Sequence, residues 1–121
     1  MTRPFDPSLE DLLPLPLAAF NIVVALAEGD RHGYAIMREV AERTGGTLTL
    51  NPGTLYTTIG RLLDQGLIVE RDHRPDPAQD DERRRYYGLT PFGRRVAKAE
   101  TARLEALVAL ARSAGLAPRR S

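Results

Sequence analysis

At two places a helix-capping side chain is followed directly by proline, Asn51-Pro52 and Thr90-Pro91, and these pairs pin two helix starts. The capping side chain accepts from a free N–H of the first turn. The proline beside it has its φ preset and lacks an N–H that would find no helical partner there. Reading forward from the first start, Leu55, Ile59, Leu62 and Leu63 recur at helical spacing as far as Gln65, where Gly66 ends the run. From Pro91 the stripe is Val96, Leu104, Leu107, Val108 and Ala111, with Phe92 near the start and Gly115 at the close. The spacing predicts helices over residues 52–65 and 91–114.

Two more helices precede these. Pro16 stands at a helix start, and Ala19, Ile22, Val23 and Leu26 carry the pattern to about Glu28, before Gly29-Asp30. Another begins near His32-Gly33, buries Ile36, Met37, Val40 and Ala41, and stops at Gly45-Gly46. Thr47-Leu48-Thr49-Leu50 alternates and is half β-branched, which predicts a very short strand. Leu67-Ile68-Val69 opens a strand running to about Asp72, and Arg84 to Leu89 returns it across a polar loop holding Pro75 and Pro77. Helix, helix, short strand, helix, two-stranded ribbon and long helix is the order of a winged helix-turn-helix. The expected fold is mainly α with a small β-wing, plus a C-terminal dimerisation helix. Its parts are an N-terminal arm (1–14), the winged helix-turn-helix (15–90), the dimerisation helix (91–114) and a tail (115–121).

Composition narrows the function. The 121 residues suffice for one domain. No stretch approaches the ~18 apolar residues of a membrane span, and no charged-then-apolar leader opens the chain, so a cytoplasmic protein without a membrane role is expected. The absence of cysteine excludes disulfides, thiolate zinc sites and thiol redox sensing. Conventional catalysis has only His32, His73, Ser8, Ser113 and Ser121 to draw on, with no nucleophile–base pair among them. A hydrolase cannot be assembled. His32 has no metal-binding partner at ligand spacing, and the loop 73–83 lacks the alternating oxygens and central glycine of an EF-hand, so neither metal nor cofactor is expected.

The net charge is +1, yet 16 of the 17 bases are arginine. Bidentate phosphate and guanine recognition accounts for that bias, and so does a skewed genomic base composition. From Pro91 to Ser121 seven bases face two acids, and Arg83, Arg84 and Arg85 lie just upstream. A polyanion would meet a local patch. Acids at Asp76, Asp80, Asp81 and Glu82 would repel phosphate from the loop tip, which leaves its arginine end as the better contact.

The helix from Pro52 offers the sharpest functional signal. At 100° per residue its apolar residues share one side, while Thr54, Thr57, Arg61 and Asp64 gather on the other. Every amphipathic helix has a polar face. This one is small, with a single long cation, and fits a major groove about 12 Å wide. Threonine can donate, accept or touch a thymine methyl, and arginine can grip guanine with two bonds. Gly53, costly by up to roughly 1 kcal/mol in a first turn, leaves room for a phosphate near free N–H groups. Tyr56 falls at the border of the two faces, where packing its ring inside and touching phosphate with its hydroxyl both remain open. His32 could cap the second helix, and Tyr34 lies near a helix start where phosphate could bind. The last helix, about 36 Å long, outruns a three-helix core, so Leu104, Leu107 and Ala111 stand exposed unless a second copy covers them or the helix folds back.

His32-Gly33-Tyr34, Gly53-Thr54-Leu55-Tyr56 with Arg61-Leu62, Gly66-Leu67-Ile68, and Arg85-Tyr86-Tyr87 followed by Leu89-Thr90 and Gly93 together resemble PadR-type transcriptional regulators of the short C-terminal-helix subgroup. The likeness covers about residues 15–112. It implies a homodimeric winged-helix repressor on a pseudo-palindromic double-stranded DNA operator, often released by a small, frequently aromatic effector. It also implies that Tyr34, Gly53, Thr54, Tyr56, Arg61 and the wing arginines meet DNA. Thr57-Thr58 departs from the bulkier or basic residues frequent in relatives, and the absence of tryptophan removes the stacking pocket some relatives have. The assignment expected is therefore Thr54, Thr57 and Arg61 on base edges, Tyr34, Tyr56, Arg83 and Arg84 on phosphates, and Leu104, Leu107, Val108 and Ala111 between subunits. Any ligand between the long helices would meet Phe20, Ile22 or the apolar stripe. The competing reading is a winged-helix protein-interaction module without DNA binding.

Overall fold

The computed structural model describes residues 9–71, 85–116 and 118. Among the described residues four helices and a small antiparallel sheet follow in the order α1 (Leu17–Leu26), β1 (Arg31–His32), α2 (Gly33–Arg43), α3 (Pro52–Asp64), β2 (Ile68–Arg71), β3 (Tyr86–Leu89) and α4 (Pro91–Ser113). A 3-10 turn over Leu9–Leu12 precedes them.

α1 is the central element. Its sequence is apolar throughout apart from Asn21, and Ala19, Ile22, Val23, Ala25 and Leu26 are all buried. A helix hydrophobic on every side belongs inside, and α2, α3 and α4 all pack on it. Ile36 and Val40 of α2 and Leu55, Ile59 and Leu62 of α3 complete the core with Leu67, Ile68, Tyr87 and Val96.

Both cap-plus-proline starts form as the sequence dictates. The Asn51 side chain accepts from the Thr54 N–H at 2.8 Å, and the Thr90 hydroxyl accepts from Gly93 at 2.9 Å. Thr90 does more, because its hydroxyl also donates to the Gly66 carbonyl at 2.7 Å. Gly93 lies flat on the Leu67 backbone, with the Leu67 carbonyl carbon 2.8 Å from where a Cβ would stand. The start of α4 is thus riveted to the turn leaving α3.

The sheet corrects two expectations. Residues 47–50 form no strand; the Thr44 side chain and backbone hold the segment instead, with Thr44 Oγ1 accepting from the Leu48 N–H. The third strand is β1, whose two residues pair with Tyr86 and Tyr87, giving the order β1-β3-β2 rather than a two-stranded ribbon. Two residues are too few to show alternation. Gly88 of β3 lies under an ion pair, Asp30 to Arg71 at 3.6 Å, and a side chain there would strike both partners.

The arm is docked rather than free from Leu9 onward. Leu9, Leu12 and Leu13 pack on the core, and the Leu15 N–H donates to Glu100 Oε2 at 3.0 Å. Glu100 is only 1% exposed. Arg103 grips it with two bonds, 2.6 Å from Nε and 2.9 Å from the terminal nitrogen. That grip and the Leu15 N–H outweigh burial and hold the carboxyl below its ordinary pKa.

Candidate nucleic-acid interface

α3 buries Leu55, Ile59 and Leu62 and turns Thr54, Thr57, Arg61 and Asp64 to solvent. The polar face read from the sequence is therefore open, not plugged by the protein's own side chains. Among the described residues Arg61 has no hydrogen-bond or ion-pair partner, which leaves its five donors available. Thr58 turns inward and returns its hydroxyl to the Thr54 carbonyl at 2.7 Å. Gly53 has a second reason to lack a side chain, since a Cβ there would stand 3.3 Å from the Asn51 cap oxygen.

The tyrosines border this face. Tyr34, on the first turn of α2, is 48% exposed, and Tyr56 is 40% exposed. His32 does cap α2, accepting from the Ala35 N–H through Nδ1 at 3.2 Å, and its ring meets Tyr86 edge-on at 5.5 Å. Burial raises the Tyr56 hydroxyl above its ordinary pKa, and nearby Tyr34 adds to the shift. Its ring packs inward, the first of the alternatives left by the sequence, while part of the side chain stays open to solvent. Arg38, exposed one turn beyond Tyr34 on the same side of α2, extends the polar surface. Sequence reasoning missed it; the i, i+4 spacing from Tyr34 was the available signal.

Arg83 and Arg84 lie outside the described residues, as does the acidic loop tip. Arg85 is already engaged across the strands, 3.6 Å from Glu70.

The distal part of α4 is exposed as its length requires. Leu107 and Val108 are open, Leu104 and Ala111 are half-buried rather than exposed, and Leu110, absent from the stripe read in sequence, is 68% exposed. Beside the proximal half runs an open groove of about 300 Å³, floored by Val23, Val24, Ala27 and Ala97 and edged by Arg94 and Lys98. Ile22, expected at such a site, is instead sealed in the core, and Phe20 does not line the groove. Among the described residues no group of side chains could hold a metal ion, and no helix is long and apolar enough to cross a membrane.

A three-helix core, a three-stranded wing and, after the connection 44–51, a helix with an open polar face define a winged helix-turn-helix protein. Residues 22–99 match the PadR-like family of transcriptional regulators. The chain belongs to that family. A PadR family transcription regulator from Clostridium difficile superposes with a TM-score of 0.69 at 23% identity, covering 81% of this chain and 97% of that one. PadR of Bacillus subtilis, solved in complex with operator DNA, gives 0.61 at 23% identity over 71% of this chain and 47% of its own. The transcriptional regulator YqjI of Escherichia coli is 35% identical over 51 residues, 42% of this chain and 25% of that protein. The chain spans 21%, 64% and 25% of the length of three curated relatives it matches.

Proposed function

We propose that this chain is a sequence-specific DNA-binding repressor that acts in the cytoplasm as a homodimer on a pseudo-palindromic operator. α3 enters the major groove, where Thr54, Thr57 and Arg61 meet base edges, with Gly53 allowing close approach of the backbone. Tyr34, Tyr56, Arg83 and Arg84 contact phosphates. Leu104, Leu107, Val108 and Ala111 join the two copies, setting the recognition helices ~34–36 Å apart, one turn of DNA. A small aromatic effector releases the complex. The observation that carries this reading is the open polar face of α3 with Arg61 unengaged among the described residues. The operator complex of the Bacillus subtilis relative supports it by analogy of fold.

The net charge of +1 favours one other reading, a protein-interaction module. Fluorescence anisotropy on a duplex from the region upstream of the protein's own coding sequence separates the two. The repressor binds with an affinity that falls linearly in log–log form with salt. Absence of salt-dependent binding to that duplex, or to a library of sequences, overturns the repressor.

A further inference from the structure

Gly33 opens α2 and is buried. Its backbone gives no reason for glycine, since the positive φ values belong to Gly29, Gly45, Gly46, Gly66 and Gly115. Capping gives none either, because His32 already supplies the cap. The reason is a neighbour from another helix. A Cβ on Gly33 would overlap the Tyr56 hydroxyl and stand 3.0 Å from Cζ and 3.3 Å from Cε1 of the same ring. The phenol tip of Tyr56 therefore rests in the space left by the missing side chain. Tyr56 lies between Thr54 and Thr57 in sequence, on the border of the open polar face.

We propose that Gly33 is a positioning residue: a socket for the Tyr56 phenol that fixes α3 against the start of α2, so that Tyr34 and the polar face of α3 form one continuous DNA-binding surface. This deepens the DNA-binding reading and rests on it. The raised Tyr56 pKa agrees with the socket, because a hydroxyl pressed against α2 has lost water. Intrinsic propensity favours alanine over glycine within a helix. The three heavy atoms nearest to that Cβ all belong to Tyr56, and their overlap opposes the change, so the effect of Gly33→Ala must change sign when Tyr56 is removed.

The experiment compares the parent, Gly33→Ala, Tyr56→Ala and the double variant by thermal melting, tyrosine ultraviolet titration and anisotropy on the upstream duplex. Without tryptophan, four tyrosines own the near-ultraviolet signal. Gly33→Ala lowers Tm, returns one tyrosine midpoint toward about 10, and weakens DNA binding about tenfold. In the Tyr56→Ala background the same change raises Tm and leaves binding at that background's level. A Gly33→Ala protein that titrates and binds like the parent overturns the socket, as does an equal loss of Tm in both backgrounds. Should Gly33→Ala unfold the chain, the double variant regains the fold, and failure to regain it also overturns the proposal. A shifted titration with unchanged binding disproves the positioning role. A parent that binds no DNA at all overturns the repressor reading and the purpose of the socket together, while the DNA-free titration and melting still report whether the contact exists.

Discussion

α3 and the distal half of α4 begin from the same instructions and end in opposite surfaces. Each follows a capping residue and a proline, each is amphipathic, and each leaves one face in water. On α3 the exposed face is polar and its apolar face is spent on the core. On α4 the core is used up after Glu100, and apolar side chains at 107, 108 and 110 stay outside. A polar face with an unengaged arginine suits a hydrated, charged ligand. An apolar one suits another protein surface. The lesson is that helix patterning says which face is different, and only the size of the core says whether that face is covered.

The sharpest way to break this comparison is to make the second surface like the first. Replacing Leu107 and Val108 together by glutamate puts two charges on the stripe where we propose that two copies meet, and we expect a loss of roughly 3–5 kcal/mol of association. Sedimentation velocity would then find monomers at concentrations where the parent is dimeric. A variant that sediments like the parent would move the interface off this stripe. The reverse change belongs on α3, where Arg61→Ala should cost ~1–3 kcal/mol at one operator position and relax specificity there. Its Tm should stay close to that of the parent, since surface changes without partners usually alter stability by less than about 0.5 kcal/mol. A large drop in Tm would show that Arg61 is structural.

Between the two halves of α4 stands Glu100, and its titration separates them. Its pKa in the fold is held below the ordinary value by Arg103 and the Leu15 N–H. Its stabilisation is therefore complete above the unfolded pKa of about 4.3 and disappears as pH falls through the lowered value. Glu100→Gln should destabilise by roughly 2 kcal/mol at neutral pH, through the weakened bonds to Arg103 and the arm. The gap between parent and variant should shrink steadily below about pH 4 in denaturant titrations. Glu39, also lowered, by its bond to Arg43, titrates in both proteins and cancels in the difference. A gap that stays constant down to pH 2 would assign the loss to packing instead.

Much of this molecule was legible because short-range physics writes it. Asn51-Pro52 and Thr90-Pro91 placed two helix starts to the residue, and the open face of α3 followed from 100° steps alone. Long-range contacts were not legible. Nothing local to residues 31–32 says that they pair with β3, and residues 47–50 alternate like a strand while having no strand partner among the described residues. The burial of Glu100 depends on an arm 85 positions away, and a lone glutamate on a helix reads as solvent-facing. Gly33 belongs with these, since the residue that forbids a side chain there comes from another helix. Membership of the PadR-like family was readable for a different reason. Its fragments are weak singly, and their order and spacing together are specific.

The finest test of the comparison lies in the two caps, which look alike in sequence and differ in what they hold. Asn51 accepts one N–H, from Thr54, and remains exposed. Thr90 accepts from Gly93, donates to Gly66, and has its own N–H bonded to the Leu67 carbonyl at 3.1 Å. Asn51→Ala removes a cap and nothing else, so it should cost about 1 kcal/mol. Thr90→Ala removes the same kind of cap and also strands a carbonyl of the α3–β2 turn, so about 2 kcal/mol is expected. The excess, about 1 kcal/mol in paired chemical denaturation curves, measures the rivet between α4 and the α3–β2 turn. Equal losses would mean that Gly66 finds water as readily as it finds Thr90, and that the start of α4 is held by the Thr90 N–H bond to Leu67 and by Gly93 packing on Leu67.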